Sequence, residues 1–240
     1  MEFGTTILDR LGFWLARTED FEFSVDGSEH LDWIVKEGRG AIILGSHLGS
    51  FDAMRLVASM ESPINIKLLM YTRHAALINQ FFHQMGKLAG SDTTVGVIQA
   101  LPGSFSHTFE VKQAIARGEA VAILADRIHP NERGRDVEVE FLGDRARLPQ
   151  GPMLLAAALG CPVLMMTGLR AGSRKYKIHV ERFGDAINIP RRDRTVHLQK
   201  YAQAYANSLA ELCKLAPFQW FNFYDFWAKA PKPQPHRYDP

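Results

Sequence analysis

The stretch "AIILGSHLGSFDAMR", residues 41–55, starts as an unbroken apolar run, halts at Gly45-Ser46, and resumes with helix-like spacing after Ser50. A short, β-branched apolar run bounded by glycine is the pattern of a strand buried on both faces. Comparable runs occur at 64–72 ("INIKLLMYT"), 120–125 ("AVAILA") and 161–169 ("CPVLMMTGL"). Helical spacing fills the intervals at Phe51 to Met60, Ala75 to Leu88, His107 to Arg117 and Pro152 to Leu159. Strands alternating with helices predict an α/β fold with a largely parallel central sheet flanked by helices. Further on, "KYKIHVERF" (175–183) alternates as a half-buried antiparallel strand does, and Val196 to Leu215 reads as one long amphipathic helix.

Composition narrows the function classes. With 28 Lys+Arg against 26 Asp+Glu, the formal charge of +2 lacks the basic excess of a nucleic-acid binder. Cys161 and Cys213 stand far apart, without partners at metal-ligand spacing, so a zinc site or disulfide framework is not expected. No apolar stretch reaches the roughly 18 residues of a membrane span. Neither repeats nor a long linker divide the chain, which reads as one domain over residues 1–240. Ile7, Leu8, Leu11 and Leu15 have helical spacing without a start signal before them, so native sequence is expected upstream.

The site-bearing residues lie where the first strand gives way to a helix. Residues five apart on one helix are separated by about 140°, so His47 and Asp52 meet only if His47 sits in the preceding turn and Asp52 in the first helical turn. Gly49 and Ser50 supply that turn and an N-cap. Asp52 would then fix the ring tautomer and stabilise the imidazolium, leaving the other nitrogen to take a proton from a nucleophile. Main-chain N–H groups near Gly49 are candidate donors to an oxyanion. The ends of strands in open α/β sheets are where such chemistry is placed. "GSHLG" has histidine where a hydrolase nucleophile elbow has serine. Phosphate-binding glycine motifs and H-E-x-x-H are lacking, so the substrate itself is expected to supply the nucleophile.

"GSHLGSFD" resembles the H-x4-D signature of glycerolipid-type acyltransferases, and the wider pattern is similar to the bacterial lipid A biosynthesis (late) acyltransferases. "MYTRHAALIN" (70–79) matches the segment that would make Arg73 a substrate-binding arginine. The order within 114–164 also matches: a helix ending in glycine, a strand ending at Asp126, a polar loop, "FLG", a small-residue helix and a Pro-led strand. "APFQWFNFYDFW" (216–227) is similar to the closing block, and its aromatic richness resembles relatives associated with aryl-polyene-type lipids. Arg127 and His129 follow Asp126 where lipid A enzymes tend to have other polar residues, and the usual N-terminal hydrophobic anchor is not among these residues.

The resemblance implies a glycerolipid acyltransferase-like fold and transfer of a fatty acyl group. The donor would be a thioester on acyl carrier protein or coenzyme A, and the acceptor a hydroxyl or amine of a lipid or glycolipid. His47 and Asp52 are the expected catalytic pair. Gly49, Arg73, Asp126 and Arg127 are expected at the substrate, with Asp126 either supporting the site or touching the acceptor. No metal or cofactor is called for. Arg133, Arg135, Arg145 and Arg147 form a basic cluster open to two readings, a docking patch for acidic partners or a solvated loop. The closing aromatics and the face of Leu8, Leu11, Phe13, Trp14 and Leu15 are expected to give peripheral contact with the cytoplasmic face of the bacterial inner membrane. A thioesterase-like hydrolase and a non-catalytic lipid-binding protein are the alternatives.

Overall fold

A computed structural model describes residues 2–14, 18–61, 64–70, 96–100, 106–128, 134–223 and 225–227, with Gln80 and Gln84. Nine strands are seen among them: β1 (Glu22–Asp26), β2 (Ala41–Gly45), β3 (Ile66–Met70), β4 (Val97–Gln99), β5 (Ala120–Leu124), β6 (Asp136–Phe141), β7 (Asp144–Pro149), β8 (Val163–Gly172) and β9 (Lys175–Gly184). The helices are α1 (Glu2–Trp14), α2 (Ser28–Glu37), α3 (Phe51–Glu61), α4 (Ser106–Ala116), α5 (Gly151–Leu159) and α6 (Arg194–Leu215). Seven strands form one sheet in the order β1-β9-β8-β2-β5-β3-β4. Only β8 and β9 pair antiparallel within it. The expected α/β sheet is therefore present, with β2 at its centre.

The unbroken apolar run of β2 has a direct cause. Ile42 and Leu44 point into a core shared with α4, α5 and α6, where they meet residues such as Val111, Ala156, Tyr205 and Leu209. Ala41 and Ile43 point to the other face, against Leu31 and Ile34 of α2 and Met54 and Val57 of α3. With helices on both sides, no position of the strand can be polar. Each such aliphatic side chain contributes roughly 2 kcal/mol by leaving water.

Three regions differ from the sequence reading. β1 and α2 were not anticipated, and the stretch read as a polar loop holds the β6–β7 hairpin. Its turn has positive φ at Leu142 (52°) and Gly143 (92°), the signature of a two-residue turn that matches strand twist. Glu138 stands opposite Arg147 and Glu140 opposite Arg145, while Val137, Val139, Phe141, Ala146 and Leu148 are buried. On β6, the Glu140 N–H donates to Gln203 Oε1 at 2.9 Å and Gln203 Nε2 donates to the Glu140 carbonyl at 2.9 Å. A helix side chain thus covers part of a strand edge. The helix expected at 75–88 lies outside the described residues. Among the described residues no helix is long and apolar enough to cross a membrane.

Candidate active site

β2 and β5 run parallel with Gly45 opposite Leu124, and the Ala125 N–H donates to the Gly45 carbonyl at 3.0 Å. Two residues beyond each strand end, the same register brings His47 beside Asp126. His47 Nδ1 lies 2.7 Å from Asp126 Oδ1, and the His47 main-chain N–H donates to Asp126 Oδ2 at 2.9 Å. The Trp220 indole N–H donates to that same Oδ2 at 3.2 Å. Asp126 is fully buried, so these three N–H groups take the place of water around its carboxylate. A carboxylate on Nδ1 holds the proton there and leaves Nε2 as the basic nitrogen.

The turn from Ser46 to Ser50 is built as expected. Ser50 Oγ accepts the Ala53 N–H at 3.2 Å and caps α3, which places Asp52 in the first helical turn. Gly49 has φ 73°, and a Cβ there would stand 2.2 Å from the Gly168 carbonyl oxygen, so only glycine fits. The oxyanion role expected near Gly49 is corrected by its bonding. The Gly49 N–H donates to the Gln219 carbonyl at 2.9 Å and the Ser50 N–H to the Gly168 carbonyl at 2.7 Å. The Leu48 N–H is engaged by Ser46 Oγ at 3.2 Å. A second correction concerns the pair itself: the carboxylate on His47 Nδ1 is Asp126, whereas Asp52 forms an ion pair with Arg10 of α1. Asp52 is 3% exposed.

The closing block forms a strap over this turn. Leu48 and Trp220 make an antiparallel bridge, and the Phe221 N–H donates to the His47 carbonyl at 3.0 Å. Gln219 binds the main chain of Arg170 in both directions, accepting its N–H and donating to its carbonyl at 2.8 Å each. Arg127 donates to Asn222 Oδ1 at 2.9 Å and to the Phe221 carbonyl. From behind, the Tyr205 hydroxyl donates to the Gly45 carbonyl at 2.8 Å, and burial pushes that phenol well above its ordinary value. The Cys213 thiol is pushed up to about 12 by burial, with the Asp126 charge adding to it.

A cleft of about 320 Å³ opens onto His47. Phe3, Ile7, Phe51, Leu124, Phe221 and Phe223 give it apolar walls, and Arg10, Asp52 and Arg127 share it with the histidine. Arg127 lines this cleft while bonded to the strap, whereas Arg73 lies outside the described residues. So do Arg133 and His129. Arg145 pairs with Glu138 at 3.3 Å and Arg147 with Asp136, so on this hairpin the two arginines are matched by acids of the facing strand. Phe13 and Phe226 are buried, which removes them from the expected interfacial surface. Sequence reasoning missed Gln219, Trp220 and Arg10 as site residues. The first two lie within the quoted closing block; nothing but helical spacing marked the region of Arg10.

No curated protein matches this chain. A family model described as bacterial lipid A biosynthesis acyltransferase matches residues 3–229, and the chain accordingly belongs to the bacterial lipid A biosynthesis acyltransferase family.

Proposed function

We propose that this acyltransferase moves a fatty acyl group from a thioester of acyl carrier protein or coenzyme A directly to a hydroxyl or amine of a lipid or glycolipid. The carrying observation is the Nδ1 contact of His47 with a fully buried aspartate beside an apolar cleft. His47 Nε2 takes the acceptor proton as the acceptor oxygen or nitrogen attacks the thioester carbonyl. The tetrahedral intermediate then collapses, the C–S bond breaks, and the leaving thiolate takes the proton back from the imidazolium. Asp126 stabilises that imidazolium. The first turn of α3 lines the cleft through Phe51 and Asp52, and its dipole favours negative charge developing there. The phenylalanine walls suit the acyl chain.

Peripheral attachment to the cytoplasmic face of the inner membrane is part of this reading. Its support is the exposure of Phe3, Ile7 and Phe223, which line the cleft, and of Leu8 and Phe218. Purified protein incubated with acyl carrier protein or coenzyme A thioesters and candidate lipid acceptors should give an acylated product by mass spectrometry. The His47→Ala protein, equally folded by circular dichroism, should give none. Product formation by His47→Ala refutes the mechanism, and absence of binding to anionic vesicles at low salt refutes the attachment.

A further inference from the structure

The two oxygens of the buried Asp126 carboxylate are held differently. Oδ1 meets the ring of His47, whereas Oδ2 accepts two N–H groups from separate segments, the His47 main chain at 2.9 Å and the Trp220 indole at 3.2 Å. The terminal torsion of an aspartate is soft, so one donor on Oδ2 would leave the carboxylate free to pivot about that bond. A second donor from the strap removes the pivot and keeps Oδ1 facing Nδ1. In a site closed to water such a bond to a carboxylate counts for more than it would at the surface.

The indole is itself held in place. The Trp220 main chain is bridged to Leu48, and its ring stands edge-on to two buried rings, Phe141 of β6 at 5.2 Å and Phe226 at 4.8 Å between centroids. Trp227 belongs to the same aromatic cluster, 6.0 Å from Trp220, but its indole N–H points to the Phe141 carbonyl at 3.4 Å. Phe221 and Phe223, the neighbours of Trp220 along the strap, line the cleft, whereas Trp220 does not. We infer that Trp220 is a positioning residue, whose indole N–H locks the Asp126 carboxylate so that His47 keeps its proton on Nδ1 and presents a basic Nε2 to the cleft. Packing of the β6–β7 hairpin against the strap thereby reaches the reacting histidine through one N–H group. This inference rests on reading His47 as the base of acyl transfer.

The deciding measurement needs no substrate. Diethyl pyrocarbonate acylates an unprotonated imidazole nitrogen, and the His47 side chain is 27% exposed, so its labelling rate in the full chain can be followed by peptide mass spectrometry with His197 of α6 as internal reference. Trp220→Phe keeps an aromatic ring and removes the N–H. It should slow labelling of His47 about threefold or more, the scale of one lost hydrogen bond. Trp227→Phe should leave the rate unchanged. Merely loosening the strap would expose His47 and speed its labelling, so an unchanged or faster rate in a folded Trp220→Phe protein overturns the assignment. If that variant fails to fold, a benzothienyl analogue of tryptophan at position 220, with sulfur in place of the N–H, decides by the same criterion. Steady-state kinetics with an acyl phosphopantetheine thioester and the acceptor that the parent acylates supply the second arm. There Trp220→Phe should lower kcat roughly tenfold with little change in KM, because the residue acts on the base and not on the substrate. A raised KM with kcat intact would also overturn the assignment, placing Trp220 among the packing residues of the cleft wall. Turnover surviving His47→Ala would instead sink the acyl-transfer reading while leaving the labelling result to stand.

Discussion

The cleft has two walls held by different kinds of bond. On the strap side, main-chain groups join Gly49 to Gln219 and Phe221 to His47, and neutral side chains add to them, the Gln219 amide binding both main-chain groups of Arg170 and the Trp220 indole binding Asp126. On the α1 side, the ties are made by side chains. Arg10 pairs with Asp52, Arg170 reaches Glu2 at 3.5 Å and Asp9 at 3.4 Å, and Asp9 accepts the Tyr176 hydroxyl at 2.8 Å. Main-chain bonds are little affected by salt, whereas charged ties depend on particular side chains and weaken with salt. The strap therefore fixes the turn that carries His47, and α1 brings the Arg10–Asp52 ion pair to the cleft. Arg170 of β8 joins the two, with its main chain bonded to Gln219 of the strap and its guanidinium paired with Glu2 and Asp9 of α1.

The largest test of that division compares two aspartates. Asp126→Asn should lower kcat on the order of 10³-fold, because the amide cannot stabilise the imidazolium. Asp52→Asn should act mainly on KM, since it releases Arg10 and leaves Nδ1 of His47 held. Steady-state kinetics of both variants check this, and equal losses in kcat would erase the distinction between the walls.

Next in size is Gly49→Ala. A Cβ at 2.2 Å from the Gly168 oxygen, on a residue with φ 73°, should destabilise the fold by about 3 kcal/mol in urea denaturation. A loss below about 1 kcal/mol would show that the turn yields without the strap. Gln219→Leu should cost about 2 kcal/mol, since it leaves the Arg170 N–H and carbonyl without their partners. Cys213 reports on the same event. Its buried thiol, pushed up to about 12, should resist alkylation at pH 8 in the parent protein and in Arg10→Lys, yet label faster in Gln219→Leu. Equal protection in all three would mean the strap opens no more readily than α1.

Much of the fold was legible because burial on both faces leaves a strong imprint. The runs at 41–45 and 120–125 correspond to β2 and β5, and Val196 to Leu215 to α6, within a residue or two. The β6–β7 hairpin escaped because its outward positions are charged: Glu138, Glu140, Arg145 and Arg147 make "DVEVEFLGDRARLP" look solvated, although its alternation and the Leu142-Gly143 turn were there to read. At the site, the turn, the cap and His47 were legible from local pattern. The carboxylate on Nδ1 was not, because Asp126 is 79 residues away and only sheet register connects them. Aligning the two apolar runs by their ends, Gly45 with Leu124, places His47 opposite Asp126. Arg10 had no such route, since nothing in a helical spacing says which carboxylate the helix will meet.

The smallest effect tests whether the walls touch energetically at all. Phe3 of α1 stands edge-on to Phe221 and Phe223 of the strap, with ring centroids 5.2 and 5.0 Å apart. Phe3 and Phe223 are 48% and 72% exposed, so most of their contact area stays in water and the pair should fall at the low end for aromatic contacts. A double-mutant cycle with Phe3→Ala and Phe223→Ala should give a coupling of about 0.5 kcal/mol in denaturant unfolding. Coupling indistinguishable from zero would leave Arg170 as the main joint between the walls. A value above about 1.5 kcal/mol would mean that α1 and the strap form one packed unit, and the separate assignment of position to one and charge to the other would fail. Repeating the cycle in high salt sharpens the result: an aromatic contact should keep its coupling while the Arg10 and Arg170 ties weaken.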